Sequence, residues 1–547
     1  MDGRLIIRNE RIETADKLVS ENPATLEPLG EVSLASEVLC EKALQAAKEA
    51  FPAWRDTSPR QRAKIFKRAE KILLRRHGEA GRLITLEKGS PYPESLSVEV
   101  FGSLEALNYY TGHQTELVRS RKARHHVPLL YNKRSSFHFH PLGPTLVISP
   151  WNFPFLIPWC DVLSALTAGN TVVLRPSTTT PFSALLLGEI MVEAGLPPGV
   201  LNVVACLTPL AEKMIVHPST QTVMFTGSVG VGKRIMELAS RNLTKLSLEL
   251  GGKDPMIVLK DADPERAAKG AVWAAFMNCG QSCGSIERVY VAAEIASDFT
   301  ERVVGYTKAI KVGNPLDPGI DMGPMANAGQ LAVVESHVAE ARDKGARILT
   351  GGGRIPDLKG FFLEPTVLSE VDHSMRIMTE ETFGPTLPIM SFAFPEEALD
   401  LANDSIYGLT ASVWTRSRRQ ASWFADRLEA GTVTVNDHMY SFVEPRAIWG
   451  GIKQTGMGRS HGPYGLLELL NIKYVSADFR RKKSQLWWFP YDDTLTRTLE
   501  NSFVLFHGAR LGKKLGVLPP LLKAWRRLRA TSPLSNFLKA LPRILRK

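Results

Sequence analysis

Three scarcities in this sequence each exclude a class of protein. The 547 residues include only 5 cysteines, and no two of them form a CxxC pair. Such a count is too low and too scattered for a disulfide-stapled scaffold, and it favours a reducing, cytoplasmic location with free thiols. No run of about 18 uninterrupted apolar residues occurs, so no membrane-spanning helix is predicted. The charged N-terminus likewise predicts no signal peptide.

An excess of charge of one sign occurs only at the end of the chain. Residues 1–477 contain 51 basic and 52 acidic residues, whereas residues 478–547 contain 16 basic and 4 acidic residues. An electrostatic partner is therefore expected only for this C-terminal extension.

The extension also contains apolar residues at helical spacing. Leu521, Trp525 and Leu528 stand at i, i+4 and i+7 among basic residues, and residues 536–545 form a second short amphipathic segment. Together with the aromatic cluster at 487–489, this pattern favours docking of residues 480–547 on an anionic, cytoplasmic membrane face. The alternative is a solvated tail or one packed on the protein body. Nucleic acid is disfavoured, because phosphate binding does not require the apolar stripe.

The middle of the chain alternates between strand-like and helical patterns. Apolar, β-branched runs near 145, 171, 200 and 222 are separated by helical patterns, which predicts βαβ units and a parallel sheet. A second α/β series follows, with a helix that begins at the Asp263-Pro264 pair and runs toward Phe276. Residues 125–143, with a polar NKRSS centre, predict a long hairpin, and residues 471–478 a partner strand. The sequence therefore predicts an α/β protein with two domains and a small β arm.

Three side chains from distant parts of the chain have the chemistry of one reaction centre. Cys283 follows a glycine-containing loop, a setting for a nucleophilic thiol or, alternatively, an inert buried one. Glu249 ends an apolar strand before two glycines, where burial would make it a general base, unless it is a surface turn residue. Asn152, in a Pro-bracketed loop, can donate a hydrogen bond to an oxyanion or can simply form a turn.

A glycine-rich turn after the strand TVMF predicts an anion site. In FTGSVGVGK (225–233) the turn precedes a helix whose first N–H groups and dipole can face a pyrophosphate. The pattern is not GxGxxG, and a purely structural turn is the alternative.

Seven stretches, in matching order and spacing, resemble the aldehyde dehydrogenase superfamily over about residues 20–478. They are SPWNFPF (149–155), ALTAGNTVVLRPS (165–177), FTGSVGVGK (225–233), LELGGKDP (248–255), FMNCGQSC (276–283), EETFGP (380–385) and GGIKQTGMGR (450–459). The resemblance implies a Rossmann-like cofactor domain (1–124 and 142–249), an α/β catalytic domain (250–465) and an oligomerisation arm (125–141 and 466–478), followed by the basic extension (479–547). It also implies a homodimer or homotetramer, and no metal site is expected.

The resemblance implies a role for each of the three candidate side chains. Cys283 would be the nucleophile, Glu249 the base, and Asn152 with the Cys283 backbone N–H the oxyanion hole, in the NAD- or NADP-dependent oxidation of an aldehyde to a carboxylic acid through a cysteine thioester. The positions implied to bind the cofactor are Ser149, Pro150, Trp151, Arg175, Ser177, Thr178, Gly227, Ser228, Gly230, Gly232, Leu250, Glu381 and Phe383.

Two departures from the family's pattern concern the adenosine end of the cofactor site. Arg175 stands where the family usually has Lys, and Thr178 stands where NAD-preferring members often have Glu. An acid at position 178 would repel a 2′-phosphate, but Thr178 does not, and Arg175 could pair with such a phosphate. NADP is therefore allowed beside NAD. The segment VVACLTPLAE (203–212) lacks the glycines common in the family, which leaves the adenosine contacts open.

The expected substrate is a medium- or long-chain apolar aldehyde. The implied tunnel positions are apolar and include no arginine that would bind an acidic substrate; they are Phe153, Leu156, Cys160 and Trp449. Succinate-semialdehyde-type or CoA-acylating enzymes are alternatives, the latter disfavoured by Glu249. A non-catalytic, membrane-associated scaffold is a third alternative, disfavoured by the intact trio. Cys279 is either a small buried filler or the partner of Cys283 in a regulatory disulfide.

Overall fold

The computed structural model describes residues 1–127, 130, 133–479, 485, 487–508 and 511–524. The basic segment 480–484 and the amphipathic segments beyond residue 524, including Trp525 and Leu528, lie outside the described residues. The described residues form two compact units, one from 1–118 and 141–470 and the other from 119–140 together with those that follow residue 470.

Twenty strands are found among the described residues. They are β1 (Leu5–Ile7), β2 (Glu10–Ile12), β3 (Lys17–Glu21), β4 (Pro28–Ser33), β5 (Arg121–Ala123), β6 (Arg134–Pro141), β7 (Thr145–Ile148), β8 (Val172–Arg175), β9 (Leu201–Val203), β10 (Thr222–Thr226), β11 (Lys245–Glu249), β12 (Asp254–Val258), β13 (Ile286–Ala292), β14 (Arg347–Thr350), β15 (Thr366–Ser369), β16 (Thr386–Phe392), β17 (Thr410–Trp414), β18 (Thr432–Val435), β19 (Gly456–Met457) and β20 (Leu470–Ala477).

The α-helices carry the caps that their sequences favour, including a Ser58 capping box and side-chain caps at Ser228 and Asp263. They are α1 (Glu37–Asp56), α2 (Pro59–Lys88), α3 (Tyr92–Glu94), α4 (Phe101–Leu117), α5 (Leu156–Ala168), α6 (Pro181–Glu193), α7 (Thr208–Ile215), α8 (Val229–Ala239), α9 (Pro264–Phe276), α10 (Ala296–Lys308), α11 (Ala328–Asp343), α12 (Arg376–Thr379), α13 (Pro395–Asn403), α14 (Arg418–Ala425), α15 (Gly462–Glu468), α16 (Asp493–His507), α17 (Leu511–Gly516) and α18 (Leu518–Lys523). A π-helical turn, Ser95–Val100, joins α3 to α4.

The first unit contains two large sheets. One has eight strands in the order β19-β11-β10-β7-β8-β9-β1-β2, and β7 to β11 run parallel. The other has seven strands in the order β14-β15-β16-β13-β12-β17-β18. The central strands are buried, as parallel strands covered by helices on both faces should be. This arrangement confirms the predicted α/β class, and α9 confirms the helix predicted from Asp263-Pro264.

Residues 456–457 differ from the domain assignment made from the resemblance. They were expected in the catalytic domain, but they form β19, which pairs antiparallel with β11 in the eight-stranded sheet. A two-residue strand of this kind has no periodicity that sequence could reveal.

The second unit contains a three-stranded sheet in the order β20-β6-β5. The predicted hairpin corresponds to the antiparallel pair of β5 and β6, although β5 begins before residue 125, and the polar residues Ser135 and Ser136 lie inside β6. A polar strand is favoured here since both faces of β6 are partly exposed. Ser135 also donates a hydrogen bond of 2.8 Å to Ser476 of β20. None of the described helices is long and apolar enough to cross a membrane.

Candidate active site

The loops that follow three parallel strands meet at one edge of the eight-stranded sheet. Ile148 at the end of β7 pairs with Phe225 of β10, and Thr226 pairs with Glu249 at the end of β11. The carboxyl ends of parallel strands lie at the same edge of a sheet, which is where open α/β sheets bind ligands. The candidate residues after β7, after β10 and at the end of β11 therefore come together.

Cys283 reaches the same region from the other sheet, on a tightly constrained loop between α9 and β13. Asn278 and Cys279 adopt left-handed backbone angles, with φ of 54° and 56°. Gly280 also has positive φ, and a Cβ there would lie 2.1 Å from the carbonyl oxygen of Gly384. Only glycine fits this close approach, so the loop conformation is fixed by packing.

A cleft of about 300 Å³, partly open to solvent, brings the three candidate side chains together. Cys283 is partly exposed, whereas Glu249 and Asn152 are buried. The lining residues are Pro150, Trp151, Asn152, Thr226, Gly227, Ser228, Glu249, Leu250, Gly251, Cys283, Gln330, Val333, Glu381 and Phe383.

The Asn152 side chain is held in place and keeps one donor available. Its Nδ2 donates to the carbonyl oxygen of Gln281 at 3.1 Å. Asn278 Nδ2 donates in turn to the carbonyl oxygens of Asn152 and Gln281, each at 3.0 Å. An amide nitrogen has two N–H donors, so Asn152 can donate to a second acceptor in the cleft.

Burial and acidic neighbours keep the Cys283 thiol protonated in this conformation. Burial raises the pKa of the thiol, and the carboxyl groups of Asp254, Glu381 and Glu249 raise it further. Burial also raises the pKa of Glu381 to about 8. Reaction therefore requires a base that removes the thiol proton, since the thiolate is the nucleophile.

Glu249 has the environment of such a base. Both of its carboxylate oxygens are buried without a hydrogen-bond partner, and a Cβ on Gly450 would lie 3.0 Å from Oε1. Burial raises the pKa of Glu249 well above its ordinary value, and the nearby carboxyl group of Asp161 raises it further. Ser460 and Arg459 lower the pKa, but by less. A buried, unpartnered carboxyl group that faces a cleft can exchange protons with water.

The residues at one end of the cleft fit a dinucleotide. Gly227 and Ser228 lie at the N-terminus of the 11-residue helix α8, where N–H groups and the dipole favour phosphate. A Cβ on Gly230 would meet nothing within 4 Å, so there is open space beside this helix end. A Cβ on Gly232 would lie 2.6 Å from the Leu250 side chain. Gly232 therefore allows α8 to pack closely on Leu250, and Gly232 itself does not line the cleft.

Glu381 and Phe383, which the resemblance implies would hold the nicotinamide ribose, both line the cleft. The Gly252 N–H donates to Glu381 Oε1 at 2.9 Å and orients the carboxyl group. Phe383 has a φ of 53° and meets the Trp151 ring edge-on, with ring centroids 5.5 Å apart. The two aromatic rings thus form a wall of the cleft.

Six residues predicted to contact the cofactor do not line the cleft, namely Gly230 and Gly232 of α8 and the four positions Ser149, Arg175, Ser177 and Thr178. Arg175 donates to the carbonyl oxygen of Cys206, with Nη2 at 2.9 Å, and Ser177 accepts a hydrogen bond from the Thr179 N–H. Thr178 stands between Ser177 and Thr179 in the sequence. Ser149 is buried at the start of the loop after β7. Contact with the adenosine end of a dinucleotide stays a prediction for these four positions.

The predicted tunnel residues separate into two groups. A second, small cavity of about 10 Å³ contains Leu156 and Cys160 but neither Phe153, which packs on Ile157 and Met277, nor Trp449. Burial lowers the pKa of His461 in this cavity to about 4, so its imidazole is neutral. The other lining residues, which periodicity alone did not identify, are Gly102, Ala106, Tyr110, Phe442, Val443 and Pro445.

The surroundings of Cys279 fit a packing role. Its side chain is buried, and its Sγ lies 3.6 Å from Met325 Sδ. Cys279 and Cys283 are both free thiols, so a disulfide between them stays a prediction.

Comparison with known proteins identifies the class. Residues 11–475 match the aldehyde dehydrogenase family, and the chain belongs to that family. Its predicted fold and its class of oxidoreductase are thereby confirmed, and its cofactor is NAD or NADP.

Particular relatives cover most of the chain. It is similar to the chloroplastic betaine aldehyde dehydrogenase of Beta vulgaris, with 35% identity over 466 residues, which cover 84% of this chain and 92% of that protein. Retinaldehyde dehydrogenase 3 of Homo sapiens is 36% identical over 480 residues, which cover 86% of this chain and 92% of that protein. The NAD+ complex of an aldehyde dehydrogenase from Bacillus cereus has a TM-score of 0.84 at 32% identity and covers 88% of this chain and 97% of that one.

Proposed function

We propose that this enzyme oxidises apolar, medium- or long-chain aldehydes to carboxylic acids through a thioester on Cys283. The observation that carries the proposal is the single cleft that contains Cys283, Glu249 and Asn152 next to Glu381 and Phe383. A nucleophile, a base and an amide donor around one space are the parts that acyl chemistry on an aldehyde requires.

The first half of the reaction forms the thioester. The Cys283 proton leaves to water in the cleft, directly or by way of Glu249, and the thiolate sulfur adds to the aldehyde carbon. The free N–H of Asn152 and the Cys283 backbone N–H donate to the oxyanion that forms. Gly227 and Ser228 would hold the dinucleotide phosphates, and Glu381 and Phe383 its nicotinamide end. When bound, the nicotinamide accepts the hydride that leaves the former aldehyde carbon.

The second half releases the acid. Glu249 takes a proton from a water, whose oxygen attacks the thioester carbonyl, and the sulfur of Cys283 leaves. A base at this position favours hydrolysis over transfer of the acyl group to CoA.

The side chains around the small second cavity favour an apolar substrate. Its wall is built mainly from aliphatic and aromatic side chains, and its one imidazole is neutral. The names of the relatives include both betaine aldehyde and retinaldehyde, so they leave the substrate class open.

A kinetic panel tests the function and its substrate class. NADH or NADPH formation from aldehydes of two to sixteen carbons should show kcat/KM rising with chain length, by a factor of up to about 4 for each buried CH₂. Cys283→Ala is the control for background reduction. No aldehyde-dependent signal would contradict catalysis and favour the scaffold alternative, and a preference for betaine aldehyde or succinate semialdehyde would contradict the apolar tunnel.

We further propose that the C-terminal extension docks on an anionic membrane. Four aromatic side chains near its start are exposed, namely Trp487, Trp488, Phe489 and Tyr491. Aromatic rings of this kind anchor at the headgroup level, and nearby basic residues contribute about 1 kcal/mol each on an anionic surface.

Vesicle cosedimentation tests this docking. The full chain should pellet with phosphatidylserine-containing vesicles and much less with neutral phosphatidylcholine. A variant with alanine at 487, 488 and 489 should pellet less, and a chain that ends at Asp478 should not pellet. Equal pelleting of the full and shortened chains would contradict the proposal.

The three-stranded sheet is the proposed contact for a homodimer or homotetramer. β20 stands at its edge with Ile472, Tyr474 and Val475 exposed. An unpaired, apolar edge strand pairs readily with another chain. Light scattering should give a mass of at least two chains, and a monomer at micromolar concentration would contradict the assignment.

A further inference from the structure

The buried cation Lys88 lies between two loops of the active site. Lys88 is the last residue of α2, and its side chain is completely buried. Its Nζ lies 2.7 Å from Oε1 of Glu99, 4.0 Å from Oε1 of Glu94, and 4.7 Å from the ring centroid of Phe153. Desolvation of these three charged groups is costly, so the cluster needs a compensating arrangement of hydrogen bonds.

Glu99 holds the loop that carries Asn152. Its Oε2 accepts hydrogen bonds from the backbone N–H groups of Phe155, at 2.9 Å, and Leu156, at 3.2 Å. These N–H groups belong to the start of α5 and have no partner within the helix. The Glu99 carboxylate therefore fixes the point where the loop after β7 enters α5.

Glu94 holds the loop that leads to Cys283. Its Oε2 accepts a hydrogen bond of 2.9 Å from the backbone N–H of Asn278. Asn278 has a φ of 54°, a conformation that costs about 1 to 3 kcal/mol and persists only when its surroundings enforce it. The Asn278 side chain then donates to the carbonyl oxygens of Asn152 and Gln281.

We propose that Lys88 is a positioning residue that sets the distance between the Asn152 amide and the Cys283 thiol by holding Glu94 and Glu99 together. The proposal rests on the roles proposed above for Asn152 and Cys283. Burial raises the pKa of Glu94, and the charge of Lys88 is the strongest influence that opposes it. Without Lys88, two buried carboxyl groups would share this site with no such cation, so one would take up a proton and become a weaker acceptor for its loop.

Arg62 supplies a matched control for a merely structural role. It is also a buried cation on α2, but its guanidinium donates to the carbonyl oxygens of Trp54, Arg55 and Thr167 and contacts neither loop. Loss of either cation should lower the thermal midpoint. Only loss of Lys88 should disturb the active site.

The experiment compares Lys88→Met with Arg62→Met in the full-length enzyme. Lys88→Met should slow the pre-steady-state burst of NADH or NADPH by about 10²-fold, the cost of a misplacement of about 1 Å. The KM for the dinucleotide should stay close to that of the wild type. Arg62→Met should leave the burst rate of the folded protein close to the wild-type rate. A wild-type burst rate in folded Lys88→Met, or an equal loss in Arg62→Met, would overturn the proposal.

Charge balance gives a second readout that packing alone would not move. Adding Glu94→Gln to Lys88→Met removes the unbalanced acid and keeps an oxygen acceptor for Asn278, so the burst rate should recover by about tenfold; no recovery would count against the proposal. If Lys88→Met does not fold, Glu99→Gln replaces it, and an unchanged burst rate in that variant is the contradicting result.

Thiol alkylation separates failure of this proposal from failure of the proposed function. A wild-type enzyme that turns over no aldehyde would contradict the proposed function. In that case the positioning role of Lys88 is tested by the rate at which iodoacetamide modifies Cys283. That rate should change in Lys88→Met and not in Arg62→Met. Equal rates in the wild type and both variants would show that Lys88 does not position this loop.

Discussion

Replacement of Cys283 by serine is expected to lower the rate of the NADH or NADPH burst by about 10⁴-fold or more, the scale seen when a catalytic nucleophile is removed. The two side chains have nearly the same shape, so the cleft and its affinity for the dinucleotide should be preserved. A serine hydroxyl ionises far less readily than a thiol, and an acid-rich site makes ionisation harder still. The burst of NADH or NADPH measures the loss, and dinucleotide binding by fluorescence checks the fold.

Cys279→Ser is the matched control for this prediction. Cys279 lies in the same loop, but its sulfur contacts Met325 in the core and not the cleft. A buried hydroxyl there should cost about 1 to 3 kcal/mol of stability, while the folded protein should keep a burst rate close to that of the wild type. Activity that survives Cys283→Ser, or is lost in Cys279→Ser alone, would contradict the assignment of the nucleophile.

Local signals in the sequence were sufficient for most of the fold around the site. The strands that end before Ser149, Gly227 and Leu250 are short apolar runs bounded by turn residues, and the Asp263-Pro264 pair caps α9 as such pairs do. Parallel pairing then dictates that their loops meet at one edge. The candidate trio could be proposed because Glu249 ends β11 and Asn152 and Cys283 lie in the loops after β7 and α9.

Long-range packing determines what the sequence could not reveal. Lys88 ends a helix, and a lysine at a helix end is ordinarily solvated, so nothing local indicates its burial between Glu94 and Glu99. The left-handed backbone of Asn278 likewise depends on contacts from distant segments. In the arm, β6 alternates weakly because both faces are partly exposed, and the start of the hairpin, at β5, was therefore not located from the sequence.

Replacement of Glu249 by glutamine is expected to separate the two halves of the reaction. Loss of the base should lower steady-state turnover by about 10² to 10⁴-fold, while a slower burst of about one equivalent of NADH or NADPH per site shows that the thioester still forms. The raised pKa of Glu249 predicts a further effect. Below that pKa the carboxyl group is protonated and cannot accept a proton, so wild-type turnover should rise with pH through a limb above the ordinary carboxyl range. The limb should be missing from the residual turnover of Glu249→Gln.

Asp161→Asn tests the physical cause of that limb. The carboxyl group of Asp161 is the largest influence after burial that raises the pKa of Glu249. Its own pKa is raised to about 7 by burial, so its negative charge develops over the pH range in which turnover is rising. Removing the charge while keeping the shape should move the limb of the turnover profile to lower pH. An unmoved limb in Asp161→Asn, or wild-type turnover in Glu249→Gln, would mean that another group takes the proton from the attacking water.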